Sequence, residues 1–368
     1  MIDEHLAAYL AWSHCPGIGT VGFQKIIKAF GTAQRGWCAD IGQLGEVLGM
    51  TLATRVDQFR RSWDPNFIVS RLKTEGVCVI TDQDDLFPEK LKNIDGAPFI
   101  LYVKVAPQVD LLELFKMPAV AIVGTRKITS YGRQVTEQIV RDLTAAGVVI
   151  VSGLMYGVDE VAHRTAMQNN GQTIGVWAGG IDSLVGTSRA GLARNLFDNG
   201  SVVISEFPVG VMPTPGMFPV RNRIVSGLSS AVVVIEASLE SGSLITAGHA
   251  AAQGREVFAV PGPVTSYQSL GTAKLIQKGA YLITGAQEIL ETIGLGQGNG
   301  RNNESTQQVA IGDKDENEIV EILKLENKHI DELVRSTGWG IQKLTSVLSL
   351  MEVRGQIRNL GGMIYGLA

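Results

Sequence analysis

The central part of the chain alternates short apolar runs with longer amphipathic stretches. Runs of five to eight residues rich in Val, Ile and Ala are typical of parallel strands that are buried on both faces. They occupy residues 118–124, 148–153, 173–180, 202–206, 231–237, 257–261 and 280–284. The stretches at 130–146 and 241–253 have helical spacing and precede Gly147 and Gly254, which are typical helix stops. This alternation predicts a doubly wound α/β domain with a mostly parallel sheet.

The segments on either side of these strands have different patterns. Residues 77–81 and 99–103 are two further possible strands, which place the α/β domain at 71–293. Residues 1–70 show helical periodicity and predict a small helical domain. Its break at 15–19, Cys-Pro-Gly-Ile-Gly, has the form of a helix-hairpin-helix turn, which serves either DNA phosphate contact or helix packing.

The C-terminal part of the chain predicts a linker and a last domain. Residues 294–312 are rich in Gly, Asn and Gln and are typical of a linker. The rest, 313–368, predicts a winged helix, a relative of the helix-turn-helix. Its expected helices cover 316–325, 330–336 and 341–354, followed by a wing over 356–365. Because this domain has 7 Lys and Arg against 9 Asp and Glu, contact with protein is as plausible as contact with DNA.

The composition and net charge of the chain exclude several classes of protein. The 368 residues, with 45% apolar and 18% charged side chains, suit a packed soluble protein of two or three domains. A formal net charge of −4 excludes a general affinity for polyanions, so any nucleic-acid site must be local. Three scattered cysteines without a CxxC pair fit neither a disulfide framework nor a zinc ribbon. With no secretory signal and no run of 18 apolar residues, we expect a cytoplasmic protein with no membrane contact.

Two glycine loops follow predicted strands at the edge where α/β proteins bind their ligands. The first is Gly124-Thr125-Arg126-Lys127, whose backbone N–H groups and Arg126 could hold an anion at a helix start. It lacks the GxGxxG pattern of dinucleotide sites. The second begins with Ser152-Gly153 and could flank the same phosphates. The alternative for the first loop is a plain strand-to-helix turn. For the second, Gly153 and Gly157 would only permit close helix packing and Asp159 would cap the helix that carries His163, a histidine predicted to be structural.

The segment 218–228 carries the most informative combination of side chains. Phe218 could stack on a base, Asn222 could bind a base edge, and Arg221 and Arg223 could hold phosphates, as in single-stranded nucleic-acid sites. No acidic residue occurs between positions 207 and 235. The alternative is that Phe218 is a core residue and the arginines pair with carboxylates such as those at positions 206 and 236.

A fourth loop completes the candidate site. Ser241, Gly242 and Ser243 open a predicted helix, where they could bind phosphate or simply cap the helix. The sequence contains no Walker A motif, HExxH motif, GxSxG elbow or metal-ligand cluster. We therefore expect a site that holds phosphates without breaking them, with no metal and no cofactor.

Together these stretches resemble the DprA/Smf family. The resemblance covers nearly the whole chain and is carried by AIVGTR, SGLMYGVDEVAH, SEFPVG, FPVRNRIVSGLS, VVIEASLESGSLITA, GREVFAVPG and GTAKLIQKGA, between residues 121 and 280. It implies an extended Rossmann-like, single-stranded DNA-binding homodimer that helps load the RecA recombinase onto incoming DNA in natural transformation. The family's DNA-contacting positions correspond here to Gly124, Thr125, Arg126, Phe218, Arg221 and Asn222.

The sequence also departs from the family and leaves other functions open. After the Gly-Gly-Ile-Asp at 179–182, Ser-Leu-Val-Gly stands where the family usually has a Tyr-Pro pair, and a basic residue seen before Phe218 in some relatives is missing. One alternative is a nucleotide phosphoribohydrolase of the LOG type, although ESGSLITA lacks its PGG and its downstream carboxylate. Another is a protein-interaction adaptor that acts through the acidic winged helix.

Overall fold

The computed structural model describes residues 3–106, 108–296 and 314–367. It consists of two compact units, Met1–Gln297 and Gly298–Ala368. Most of the predicted linker, from residue 297 onward, lies outside the described residues.

The first unit is built on a nine-stranded sheet. Its strand order is β1-β2-β6-β5-β4-β3-β7-β8-β9, and every neighbouring pair from β6 to β9 is parallel. Only β1 and β2 at one edge run antiparallel to their neighbours. The strands are β1 Val77–Thr81, β2 Ile100–Val105, β3 Ala119–Val123, β4 Val149–Ser152, β5 Thr173–Val176, β6 Val202–Ser205, β7 Ala231–Val234, β8 Glu256–Ala259 and β9 Tyr281–Leu282. The predicted doubly wound, mostly parallel α/β fold is confirmed.

Helices cover both faces of this sheet, as its apolar composition requires. Residues of β3, β4, β6 and β7 are almost completely buried because they contact side chains on both faces. The short helix α7 Glu89–Lys92 lies between β1 and β2 in the chain. The helices after β2 are α8 Leu111–Lys116, α9 Ser130–Ala145, α10 Val158–Gln168, α11 Ala190–Asp198, α12 Met217–Gly227, α13 Ser243–Ala252, α14 Leu270–Gln277 and α15 Gln287–Thr292.

Six helices precede the sheet and belong to the same compact unit. They are α1 Glu4–His14, α2 Thr20–Phe30, α3 Ala33–Cys38, α4 Ile41–Leu48, α5 Met50–Arg60 and α6 Pro65–Glu75. Trp12 and Phe23 share a core with Tyr102 of β2 and Val203 of β6. The helical segment expected at 1–70 is therefore present, and it packs against the sheet within one unit. The domain limits at 70 and 293 stay a prediction.

The second unit contains three helices and a small antiparallel sheet, the architecture of a winged helix. Its helices are α16 Lys314–Leu325, α17 Ile330–Thr337 and α18 Ile341–Val353, and its strands are β10 Lys328–His329, β11 Ile357–Asn359 and β12 Ile364–Leu367. Ile319, Leu333 and Leu348 are buried in a core of their own. Among the described residues of the chain, no helix is long and apolar enough to cross a membrane.

Candidate nucleic-acid interface

A cleft of about 530 Å³ opens at the carboxyl ends of β3, β4 and β7. We call it the central cleft. It lies where ligands bind in open α/β sheets. Ten of the thirteen predicted site residues line it, namely Gly124, Thr125, Arg126, Gly153, Phe218, Arg221, Asn222, Ser241, Gly242 and Ser243. Segments that are far apart in the sequence thus meet in one place.

Close backbone approaches fix the loop after β3. The Thr125 N–H donates to the carbonyl oxygen of Glu236 over 2.7 Å. Gly157 has a φ of +78°, and a Cβ at that position would lie 2.2 Å from the Thr125 carbonyl oxygen. Only glycine permits both this φ and this approach. The glycine of the second loop therefore shapes the first.

Arg126 and Phe218 place a positive charge beside an aromatic ring in the cleft. The guanidinium carbon of exposed Arg126 lies 5.9 Å from the centroid of the Phe218 ring. Phe218 is half-buried, and its ring meets Trp177 edge-on at 6.3 Å. The neighbouring Lys127 is exposed but lies outside the cleft lining. A cation and a ring held side by side are suited to a phosphate and its base.

Phe218 and Arg221 belong to α12, a helix that the hydrophobic pattern did not predict. Arg221 is only 2% exposed, and its Nη1 donates to the Gly153 carbonyl oxygen over 2.7 Å and to that of Val176. Its Nε donates to the Asn222 side chain over 3.2 Å. Burial lowers the pKa of Arg221 to about 10, and the group remains charged at neutral pH. Arg221 therefore places positive charge at the base of the cleft while it ties α12 to two strand ends.

Asp159 lies next to this guanidinium at the start of α10. Its carboxylate accepts the N–H groups of Gly153 over 3.1 Å and Met155 over 3.3 Å. Burial raises the pKa of Asp159, and the nearby Arg221 opposes that shift. Both hydrogen bonds go to Oδ2, so this carboxylate orders the loop after β4 while it lines the cleft.

Two of the predicted phosphate contacts have other roles in the structure and need correction. Arg223 is 7% exposed, and its Nη2 donates to the carboxylate of Glu206 over 2.5 Å. This carboxylate pairing is the alternative that the sequence left open. Ser152 is completely buried, and its hydroxyl donates to the Ile122 carbonyl oxygen over 2.6 Å. Neither side chain lines the cleft, because α12 turns Arg223 away and β4 holds Ser152 in the sheet.

The start of α13 forms the opposite wall of the cleft. The Ser241 and Ser243 hydroxyl oxygens lie 2.7 Å apart, and the N-cap residue Gly242 has no side chain to cap the helix. The N–H groups of Ser243, Leu244 and Ile245 donate to oxygen atoms of Ser241 and Gly242. The start of α13 therefore offers an anion its helix dipole and the two serine hydroxyl groups. Asn222 joins the walls, because its Nδ2 donates to the Gly242 carbonyl oxygen over 3.3 Å. The exposed Glu240 also lies in the lining.

Glu236 is a structural residue of the site whose role sequence reasoning missed. It is 2% exposed, and its carboxylate accepts the Thr129 N–H over 2.9 Å and the Thr129 hydroxyl over 2.5 Å. It thus holds the loop after β3 to the end of β7. A lone acidic residue at a strand end was the available signal, but it gives no indication of its partner.

His163 has the structural role predicted for it. The ring is completely buried in α10, and its Nδ1 lies 2.7 Å from the Thr173 hydroxyl oxygen of β5.

The loop that departs from the family pattern forms a 3₁₀ turn, Ile181–Gly186. In it, the buried Ser183 hydroxyl donates to the Gly180 carbonyl oxygen over 2.6 Å and accepts the Trp177 indole N–H over 3.0 Å. These partners hold the changed segment to the residues that follow β5.

Comparison with known proteins agrees with this geometry. The family model described as DNA recombination-mediator protein A matches residues 78–294, and a DprA winged helix domain model matches residues 303–363. The chain is 41% identical over 207 residues to the DNA processing protein DprA of Streptococcus pneumoniae, covering 56% of this chain and 71% of that protein. It is 30% identical to a putative DNA processing protein DprA of Mycobacterium tuberculosis over 96% of this chain and 92% of that protein.

Two solved structures have the same architecture. The X-ray structure of DprA from Streptococcus pneumoniae superposes with a TM-score of 0.66 at 31% identity, covering 79% of this chain and 98% of that one. The second is the DprA of Helicobacter pylori, whose structure is described as showing its single-stranded DNA binding mode. It superposes with a TM-score of 0.52 at 31% identity, covering 59% of this chain and 95% of that one. The chain belongs to the DprA/Smf family of DNA recombination mediators.

Proposed function

We propose that this protein is a recombination mediator that binds single-stranded DNA, protects incoming strands and helps load RecA during natural transformation. One observation carries the proposal: the exposed Arg126 guanidinium lies beside the Phe218 ring in a cleft whose opposite wall is the N-terminal end of α13. This combination suits an unpaired strand, whose bases are free to stack while its phosphates are held. The relative from Helicobacter pylori, described as binding single-stranded DNA, supports it.

Within this proposal some residues contact the DNA and others shape the cleft. Arg126 and the hydroxyl groups of Ser241 and Ser243 hold phosphates in the cleft, Lys127 holds a phosphate outside the cleft lining, and Phe218 stacks on a base. The backbone at Gly124 and Thr125 shapes the loop, and Asn222 and Gly153 join its walls. Arg221 contributes positive charge at the base of the cleft and keeps its hydrogen bonds to the Gly153 and Val176 carbonyl oxygens.

We propose further that the cleft does not cleave what it binds. Two buried carboxylates near it, Asp159 in its lining and Glu236 beside it, accept hydrogen bonds from backbone N–H groups and order the loops after β4 and β3. A phosphoribohydrolase requires a carboxylate placed at the sugar. If incubation with nucleoside monophosphates released free base, the enzyme alternative would replace this proposal.

A salt titration tests the DNA site. We expect fluorescence anisotropy with a short oligonucleotide to show log affinity falling with log salt, and Arg126→Ala to flatten that slope by about 0.7. Arg141 supplies a matched control, because it is exposed in the last turns of α9, away from the loop that begins the helix. Arg141→Ala should leave the slope unchanged. Equal slopes for both variants would contradict the assignment of Arg126.

The stacking contact is tested at high salt, where phosphate contacts contribute least. Phe218→Ala should weaken binding by about tenfold under these conditions, since stacking on an aromatic side chain contributes on the order of 1–3 kcal/mol per base. Phe218→Tyr should retain most of the affinity.

The proposed partners are RecA and a second copy of this chain. Sedimentation analysis of the full chain reports the homodimer. RecA loading is measured by a strand-exchange assay on single strands coated with a single-stranded DNA-binding protein. If RecA exchanged these strands fully without this protein, the proposed mediator role would be contradicted.

A further inference from the structure

An exposed tyrosine ring lies beside the central cleft, outside the residues assigned above. Tyr156 is 46% exposed. The residue before it, Met155, lines the cleft. At the residue after it, Gly157, a Cβ would lie 2.8 Å from the α-carbon of Arg126. The ring therefore sits at the rim of the cleft, next to the backbone that presents Arg126.

Charged and polar side chains hold this ring in place. The Arg189 guanidinium carbon lies 3.3 Å from the centroid of the Tyr156 ring and covers one face. Arg189 is itself 7% exposed, and its Nη1 donates to a Glu160 carboxylate oxygen over 2.7 Å. The Tyr156 hydroxyl donates to the Ser188 hydroxyl oxygen. With one face and the hydroxyl fixed, the remaining surface of the ring is open and already oriented.

Ser188 and Arg189 follow the 3₁₀ turn at which this chain departs from its family's usual Tyr-Pro pair. The changed segment thus supplies the two side chains that position Tyr156. An aromatic ring that is held rigidly and yet left half in solvent adds little to the core. It loses little side-chain entropy when a flat partner covers it.

We propose that Tyr156 is a second stacking position for a base of the bound single strand, next to the base on Phe218. This inference rests on the proposed DNA-binding function. The Arg126 guanidinium approaches the Phe218 ring, and the Arg126 backbone packs against Gly157, the residue after Tyr156. A phosphate held by Arg126 would join two nucleotides whose bases stack on either side. Stacking of this kind accepts any base, because every base has a π face.

Affinity measurements on the full chain test the ring. Tyr156→Ala should weaken binding of a short single-stranded oligonucleotide by about tenfold, and Tyr156→Phe should stay within twofold because the ring remains. Phe67→Ala is the control, since Phe67 is an exposed ring on α6 that does not line the cleft. Ser188→Ala, which frees only the hydroxyl, should cost less affinity than Tyr156→Ala.

Photo-cross-linking of the wild-type protein supplies a readout that does not depend on any variant folding. An oligonucleotide carrying 5-iododeoxyuridine at each position in turn should cross-link to Tyr156 from one or two positions. If wild-type protein binds DNA but Tyr156 never cross-links and Tyr156→Ala binds normally, the inference fails and the proposed function stands. If wild-type protein does not bind single-stranded DNA, both fail.

Discussion

Three arginines near the central cleft differ in exposure, and this difference sets what each one can do. Arg126 is exposed and keeps its donors free for a ligand, whereas Arg221 and Arg223 are 2% and 7% exposed. A buried guanidinium must find partners within the protein, and these two use carbonyl oxygens and a carboxylate respectively. Residue type alone is therefore a poor guide to phosphate contact, because fixed partners compete with the ligand for the same donors.

The ion pair between Arg223 and Glu206 should stabilise the fold without contributing to DNA affinity. Arg223→Ala leaves a buried carboxylate unpaired and should lower the free energy of unfolding by about 3–5 kcal/mol. Denaturant titration measures this loss. Arg61→Ala removes an exposed pair with Asp57 and should cost at most about 0.5 kcal/mol.

The same variant should show a pH dependence of known sign. Burial raises the pKa of Glu206 and Arg223 opposes that shift, so removing the arginine raises the pKa further. A carboxyl group with a raised folded-state pKa favours folding when protonated and loses that contribution as pH rises through that pKa. The stability deficit of Arg223→Ala should therefore be larger at pH 8 than at pH 5, and a deficit independent of pH would contradict this.

Gly157 allows a test of the loop that presents Arg126. Gly157→Ala combines an unfavourable φ of +78° with a clash against the Thr125 carbonyl oxygen, so it should both lower stability and weaken DNA binding. Gly147→Ala has a similar φ of +77° but no atom within 4 Å of the new Cβ. It should cost about 1 kcal/mol of stability and leave DNA binding unchanged. Equal DNA affinities for the two variants would show that the conformation of this loop does not contribute to DNA binding.

At the scale of elements, the strands were predictable from sequence and α12 was not. β1 begins and ends where the pattern placed it, and strands β3 to β7 fall inside their predicted runs, because burial on both faces demands continuous apolar residues. β8 begins one residue before its predicted run, and β2 ends two residues after its own. Helix α12 begins with Met217, Phe218 and Pro219 and carries two arginines, which obscure helical periodicity. Its buried arginines depend on carbonyl and carboxylate partners from distant elements, and no local pattern encodes such partners.

A buried histidine joins α10 to β5 and should make the first unit sensitive to acid. Burial lowers the pKa of His163 to about 3, against 6.5 for a free histidine. Its contribution is therefore complete above pH 6.5 and is lost as pH falls toward the folded-state pKa, by on the order of 5 kcal/mol in total. His163→Gln should lower the number of protons taken up on unfolding between pH 6 and pH 4 by about one, which is measured as a smaller slope of the free energy of unfolding against pH. His249→Gln, on α13, is the control and should keep the wild-type slope.

At the scale of the whole molecule, the chain combines a DNA-binding surface with a net negative charge. Its formal charge is −4, yet no acidic residue occurs between positions 207 and 235, which include α12. Under the proposed function, an α12 segment without acidic residues favours holding a strand at this sheet edge although the whole protein is acidic, while Asp159 and Glu240 in the cleft lining oppose it. We therefore expect binding that depends on the cleft and not on the total charge.

The division into two units predicts where DNA binding resides. Each unit has its own buried core, with Ile319, Leu333 and Leu348 in the second. A protein that ends at Gln297 should therefore fold and bind a short single-stranded oligonucleotide within about twofold of the full chain, because every residue of the central cleft lies in the first unit.

The same truncation separates the mediator from the adaptor alternative. The C-terminal domain, with 7 basic against 9 acidic residues, suits a protein partner as well as it suits a phosphate backbone. If the truncated protein no longer captured RecA but kept its DNA affinity, the winged helix would be the part that contacts the partner, and the first unit would be the part that binds the DNA strand. A loss of DNA affinity of tenfold or more, with the truncated protein still folded by circular dichroism, would instead show that the winged helix itself holds DNA.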